Sequence, residues 1–166
     1  MKLSNKLEKA INEQINLELS SAYAYLGMAA YFNQTPFSGF ARWMDLQSGE
    51  EIGHAHKFFD YVVERGGKVS LKAIGEPKCE FKGPLEVFQA ALAHEQRVSA
   101  AIAGLYELAQ AEKDYATAAF LKWFLDEQVE EERNVTDFIM KLELAGDHVS
   151  GLIQIDRLAA LRTKEG

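Results

Sequence analysis

The segment Gln47-Ser48-Gly49-Glu50-Glu51-Ile52-Gly53-His54-Ala55-His56 carries charged and ligating side chains where a helix is expected to bury apolar ones. Steps of three and four residues through this part of the chain define one inward helical face. That face contains Phe40, Met44, Gln47, Glu51, His54, Phe58 and Tyr61. Glu51 and His54 are one helical turn apart, so their carboxylate and imidazole groups point to the same side. The pair is a candidate for metal binding, although Glu-x-x-His also occurs on solvated helix faces.

Helical periodicity continues through most of the chain and predicts four long helices followed by a short one. The predicted bounds are about 4–33, 36–65, 84–111, 114–145 and 149–162. Ser4 is a candidate N-cap for the first helix, and Thr35-Pro36 is a cap and first-turn pair for the second. Residues 68–83 lack this periodicity and predict a crossover loop. The order predicts an all-α four-helix bundle with one long crossover, in a single domain over residues 1–166.

The short C-terminal helix is amphipathic, and its place in the fold has two alternatives. It can pack on its own bundle or in an interface with a partner. We favour the interface, because one bundle of four long helices already has a full core.

The composition excludes several classes of function. The chain has 166 residues and a formal net charge of -7, which argues against nucleic-acid or anionic-membrane partners. No stretch reaches 18 apolar residues and the N-terminal segment lacks a signal-peptide pattern, so we expect a cytoplasmic protein. Cys79 is the single cysteine, which excludes a disulfide framework and Cys-rich zinc or rubredoxin-type iron sites.

Carboxylates interrupt the apolar stripes of all four long helices at one predicted height. In an antiparallel hairpin, residues equidistant from the turn lie side by side, so Glu18 is expected to face Glu51. In the second hairpin, Glu95 is expected to face the span from Glu127 to Glu131. Glu130 lies within the same arc of the fourth helix, and Glu50 points to a flank of the cavity.

This set of side chains predicts a metal site. Each buried and unpaired carboxylate costs several kcal/mol, and the central stripes contain no lysine or arginine near this level. Protons or metal cations must therefore compensate the charge. Many carboxylate oxygens with one imidazole exclude structural zinc and favour iron or manganese over calcium or magnesium.

At these residues the chain resembles the bacterial non-haem ferritins, members of the ferritin-like di-iron superfamily. The similarity covers residues 7–158. The matching motifs are Gln14-Ile-Asn-Leu-Glu18-Leu-Ser-Ser-Ala-Tyr-Ala-Tyr-Leu26, Glu50-Glu51-x-x-His54, His94-Glu95-Gln96 and Phe120-Leu-Lys-Trp-Phe-Leu-Asp-Glu127-Gln128-Val-Glu130-Glu131. The resemblance implies a ferritin-like fold with a ferroxidase centre.

The resemblance also implies roles for individual residues. Glu18, Glu51 and His54 would hold one iron, and Glu51 would bridge to a second iron bound by Glu95. Gln128 would be a nearby polar partner, and Tyr25 a hydroxyl able to donate an electron, although it can also be read as a core aromatic with a satisfied hydroxyl. A third iron site would be formed by Glu50, Glu127, Glu130 and Glu131.

The function implied is iron storage with ferroxidase activity. Two Fe(II) would be oxidised by O2 or peroxide through a bridged diferric species, and Fe(III) would pass to a mineral core inside a homo-oligomeric shell of 24 subunits. Haem is not expected, because Ile52 stands where bacterioferritins carry the haem-ligating methionine. Two alternatives remain open at this point. One is a store that takes up iron slowly without catalysis, and the other is a di-iron oxidase or peroxidase of small assembly.

Overall fold

The computed structural model describes residues 2–163, which form five helices and, within that range, no strand. The helices are α1 (Asn5–Phe32), α2 (Ser38–Glu64), α3 (Pro84–Ala111), α4 (Tyr115–Ala145) and α5 (Val149–Ala159). α1 packs along α2, and α3 packs along α4, while residues 68–83 connect the two hairpins without regular structure. The predicted all-α four-helix bundle with one long crossover and a short fifth helix is confirmed. No helix in the described range is long and apolar enough to cross a membrane.

Two clusters of buried apolar side chains fill the bundle, one toward each end. One cluster includes Phe32, Phe40 and Phe88, and the other includes Ile11, Phe58 and Ile102. The carboxylates that interrupt the stripes lie between them. On α1, for example, Glu18 follows Ile15 of the second cluster and precedes Tyr25 of the first. Apolar packing on both sides therefore holds a polar layer at the middle of the bundle.

The start of α2 differs from the prediction that Thr35-Pro36 caps it. α2 begins at Ser38, and its N-cap residue Phe37 makes no capping hydrogen bond with its side chain. Thr35 Oγ1 instead accepts from Phe37 N at 3.2 Å and donates to Phe32 O at 2.7 Å, which closes the turn. Asp156 Oδ1 accepts from Phe40 N at 2.7 Å. The cap of α2 is therefore supplied by α5, 116 positions away in the sequence.

α5 packs on α2 and α4 of its own chain, with Ile155 and Ala159 buried. The expectation that it lies in a partner interface rather than on its own bundle is wrong for this face, because the Asp156 cap draws the helix onto α2. Other apolar side chains of α5 are exposed, among them Val149 and Leu158. The helix ends at Ala159 rather than at residue 162.

Gly39 of α2 lies in close contact with the backbone of α5. A Cβ at Gly39 would lie 1.8 Å from the carbonyl oxygen of Asp156. Gly39→Ala must displace α5, so we expect the free energy of unfolding to fall by about 2 kcal/mol or more. Gly104 of α3 has open space around its Cβ direction, so Gly104→Ala should instead stabilise by up to about 1 kcal/mol. Denaturant unfolding of both variants tests this expectation, and shifts of the same sign would contradict it.

Candidate metal centre

The polar layer brings together side chains from all four long helices. α1 contributes Glu18, α2 contributes Glu51 and His54, α3 contributes Glu95, and α4 contributes Gln128 and Glu131; all are buried. Glu18 and Glu95 are 0 % exposed and Glu51 is 1 % exposed, so water cannot solvate these carboxylates. Their charge must be compensated within the layer.

Glu18, Glu51 and His54 form the first group that can hold a cation. Each offers one ligand atom, and the three atoms lie within 4.8 Å of one another. One oxygen of each carboxylate is already engaged: Gln14 Nε2 donates to Glu18 Oε1 at 2.7 Å, and Gln47 Nε2 donates to Glu51 Oε1 at 3.1 Å. The other oxygens, Glu18 Oε2 and Glu51 Oε2, are buried and have no hydrogen-bond partner among residues 2–163. A cation between them is the partner that this donor set fits.

His54, Glu127 and Glu131 form a second group with ligand atoms within 4.8 Å of one another. His54 Nδ1 lies 3.5 Å from Glu51 Oε2, and His54 Nε2 lies 3.9 Å from Glu127 Oε1. The imidazole thus stands between the two groups. Trp123 and Phe124 pack edge-on against it with ring centroids 5.6 and 6.0 Å away, which fixes its plane.

Glu95 faces the same layer, but both of its oxygens are held by neighbouring donors. The hydroxyl of Tyr25 donates to Glu95 Oε1, and Gln128 Nε2 donates to Glu95 Oε2 at 3.1 Å. Glu95 therefore stands outside the two groups described above. Tyr25 and Gln128, both singled out from the sequence, contact the layer through this carboxylate.

Glu50 and Glu130, expected beside Glu127 and Glu131 in a third site, do not belong to the group of ligand atoms formed by His54, Glu127 and Glu131. Glu50 is half-buried and pairs with Arg162. Glu130 is exposed, with its Oε1 3.9 Å from Arg133 Nη2. The structure thus joins Glu127 and Glu131 to His54 and leaves the other two carboxylates at the edge of the layer.

Burial and mutual repulsion raise the pKa of most carboxyl groups in the layer. Burial, followed by the charge of Glu51, raises the pKa of Glu18 well above its usual value and that of Glu95 to about 7. Burial and the charges of Glu95 and Glu51 raise the pKa of Glu131 to about 9. Glu51 differs: burial is the largest single influence and pulls its pKa upward, but His54, Glu18 and Gln47 together outweigh it and lower the pKa. Glu51 is therefore the carboxylate that stays ionised while its neighbours take up protons.

The pKa of Tyr25 is raised well above its ordinary value by burial, then by the charges of Glu95 and Glu51. The phenol therefore remains protonated and acts as a hydrogen-bond donor to Glu95.

Several residues of the site were missed by sequence reasoning. Gln47 is on the predicted inward face and Gln14 opens the first quoted motif, but neither was given a role, and both donate to the central carboxylates. Arg162 lies after α5 in the chain, outside the central helical stripes on which the expectation of no compensating arginine was based. His94 of the His94-Glu95-Gln96 motif has both ring nitrogens engaged, with Ser21 Oγ and Arg97 Nη2 each at 2.6 Å.

Comparison with known proteins places these features among the ferritins. The sequence profile of a ferritin-like domain matches residues 8–145. The chain is 44% identical to a bacterial non-heme ferritin of Staphylococcus haemolyticus over 97% of both chains. It is 45% identical to one of Bacteroides fragilis over 93% of this chain and 96% of the relative. Among solved structures, an open-pore ferritin from the archaeon Archaeoglobus fulgidus matches with a TM-score of 0.95 at 45% identity, covering 97% of this chain and 98% of that one.

Proposed function

The chain belongs to the ferritin family, and from this premise we propose that it stores iron and oxidises Fe(II) at the polar layer of its bundle. One observation carries the proposal: Glu18 Oε2 and Glu51 Oε2 are buried beside the imidazole of His54, with no hydrogen-bond partner in the described part of the chain. Leaving two such oxygens unsatisfied is costly, and a divalent cation removes that cost. Fe(II) is here both substrate and cargo.

We assign the residues of the layer to two neighbouring Fe(II) ions and a third site. Glu18, Glu51 and His54 bind one Fe(II), and Glu51 bridges to a second Fe(II) held also by Glu95. To reach that iron, Glu95 exchanges its hydrogen bonds from Tyr25 and Gln128 for the cation. Glu127 and Glu131 near His54, with Glu50 and Glu130 at the edge of the layer, provide a third site.

The reaction transfers electrons from iron to the oxidant. Two Fe(II) give up two electrons, and O2 with two protons becomes H2O2; with peroxide as oxidant the product is water. Carboxylates suit this change because they can move between bridging and chelating binding as the iron charge rises. Fe(III) then passes to a mineral inside a cytoplasmic shell of 24 subunits. The residues of the layer form no haem site in this proposal.

Stopped-flow absorbance provides the test. Anaerobic apoprotein loaded with two Fe(II) per chain is mixed with O2, and a fast transient followed by a stable diferric absorption band is expected. Only slow and featureless growth of absorbance would contradict catalysis and leave a store without a ferroxidase centre.

The assembly is tested separately by native mass spectrometry after iron loading. We expect a particle of 24 chains of 18.6 kDa that retains iron far beyond the number of binding sites. Turnover by a small assembly without retained mineral would instead indicate a di-iron oxidase or peroxidase.

Tyr25 is proposed to donate an electron as well as a hydrogen bond, because its hydroxyl touches Glu95 inside the layer. Tyr25→Phe should remove the organic radical signal seen by freeze-quench electron paramagnetic resonance during oxidation. It should slow the oxidation by no more than about tenfold, or about 1.4 kcal/mol of barrier. Tyr23→Phe is the matched control on α1, since Tyr23 is 43% exposed. A radical signal that survives in Tyr25→Phe would rule out this role.

A further inference from the structure

Arg162 lies beyond the end of α5 and reaches back to α2 at the edge of the polar layer. Its side chain is only 11% exposed. The guanidinium donates to Gln47 Oε1 from Nη1 at 2.6 Å and to the Glu50 carboxylate from Nη2. It also lies 4.5 Å from the centroid of the Trp43 ring. Three separate contacts therefore hold this cation in one place.

Through Gln47, Arg162 acts on the carboxylates of the layer. Because Arg162 occupies Gln47 Oε1, the amide nitrogen of Gln47 must face inward. There it donates to Glu51 Oε1 at 3.1 Å and to Glu131 Oε2 at 2.9 Å. The reversed amide would turn its oxygen toward two carboxylates and lose both bonds.

Through Glu50, Arg162 acts on the edge of the layer. Glu50 is half-buried, and the charges around it are those of Arg162, His54, Glu51 and Glu127. Arg162 is its direct partner. A divalent cation bound beside Glu127 and Glu131 would attract the Glu50 carboxylate and repel the guanidinium.

We propose that Arg162 is a positioning residue that competes with a further divalent cation for Glu50, so that binding of this cation releases residues 160–163, which follow α5, from α2. The inference rests on the proposed function, because it takes the layer to bind divalent cations. The coupling is reciprocal: Arg162 paired with Glu50 weakens binding of the further cation, and the bound cation weakens the pairing of Arg162 with Glu50.

Anaerobic calorimetric titration with Zn(II), a cation without redox chemistry, measures how strongly Arg162 weakens binding of the further cation. Arg162→Gln should bind the cation that follows the first two about tenfold more tightly than the wild type, which is about 1.4 kcal/mol. Arg162→Lys keeps the charge and should remain close to the wild type. Arg157→Gln, at an exposed position of α5, is the matched control and should show no gain.

Equal affinities of Arg162→Gln and wild type for that cation would overturn the inference, and so would an equal gain in Arg157→Gln. If the first two Zn(II) bind normally in these cases, the proposed function stands while the inference fails. A wild-type protein that binds no Zn(II) would remove the proposed function and the inference together.

Hydrogen exchange of the unmodified protein provides a readout that needs no variant. Amides of residues 160–163 should exchange faster once Zn(II) exceeds two per chain, because Arg162 no longer holds this segment to Glu50, whereas α5 itself stays held by the Asp156 cap. In Arg162→Gln they should exchange fast at every Zn(II) concentration. Exchange in this segment that does not change with Zn(II) in the wild type would overturn the inference even if the variants failed to fold.

Discussion

Glu51→Gln is expected to reduce the rate of Fe(II) oxidation by at least about 100-fold, since loss even of groups that only orient metal ligands costs 10- to 100-fold. Glu51 is the carboxylate that remains ionised in the layer, and its free Oε2 lies 3.5 Å from His54 Nδ1. The amide has the same shape as the carboxylate but lacks the charge and one acceptor, so it cannot bridge two cations. Stopped-flow absorbance with two Fe(II) per chain measures the effect.

Stability should change far less than activity in this variant. The lowered pKa of Glu51 means that the folded layer stabilises its ionised form, so the isosteric amide should lower the free energy of unfolding of the apoprotein by about 1 kcal/mol. Glu64→Gln, at an exposed position near the end of α2, is the control and should change neither property. Normal oxidation kinetics in Glu51→Gln would contradict the proposed centre. Loss of oxidation together with unfolding would show that Glu51 serves the fold instead.

The parts of the site that follow local periodicity could be predicted from the sequence. Glu18, Glu51, His54 and Glu95 each interrupt an apolar stripe, and helix geometry together with short turns brings them to one height. All four are buried in the layer.

The parts that depend on contacts between distant segments could not be predicted. The α2 cap from Asp156 spans 116 positions, and Arg162 reaches Glu50 across 112. Neither Asp156 nor Arg162 belongs to a periodic sequence pattern that indicates which residue it contacts. The orientation of the Gln47 amide depends in turn on Arg162, so the hydrogen bonds that it donates to Glu51 and Glu131 could not be predicted either.

The affinity for divalent cations should rise steeply with pH. Glu131, with a pKa of about 9, is protonated at pH 7, and Glu95, with a pKa of about 7, is half protonated. The raised pKa of Glu18 acts in the same direction. Cations bind the ionised carboxylates, so binding must release the protons of Glu131 and Glu95, about 1.5 per chain near pH 7. The overall binding constant should then rise by at least about tenfold per pH unit, since each released proton contributes tenfold.

Zn(II) titration calorimetry at pH 6, 7 and 8, in buffers of different ionisation enthalpy, counts the released protons directly. Glu131→Gln removes the carboxyl group whose pKa is about 9 and should reduce the release at pH 7 by about one proton. Glu143→Gln, at an exposed position of the same helix, is the matched control and should leave it unchanged. Binding without proton release at any of these pH values would contradict the assignment of the protonated carboxyls to the cation site.

The same pKa shifts make the stability of the apoprotein depend on pH. Glu95 and Glu131 have raised folded-state pKa values of about 7 and about 9, against 4.5 for the ordinary carboxyl. The folded chain therefore binds more protons than the unfolded chain between these values. Their contribution is fully present below pH 4.5 and is lost as the pH rises through 7 and then 9, so unfolding should become easier by a few kcal/mol between pH 6 and 9. The lowered pKa of Glu51 acts only at acidic pH, where its contribution is lost as the pH falls, and it does not offset this trend.

Saturating Zn(II) replaces the protons and should flatten the dependence, because the carboxylates are then ionised and paired throughout. Denaturant unfolding across this range, with and without Zn(II), separates the two curves; a stability that rises toward pH 9 without the metal would contradict the shared burial of these carboxyls.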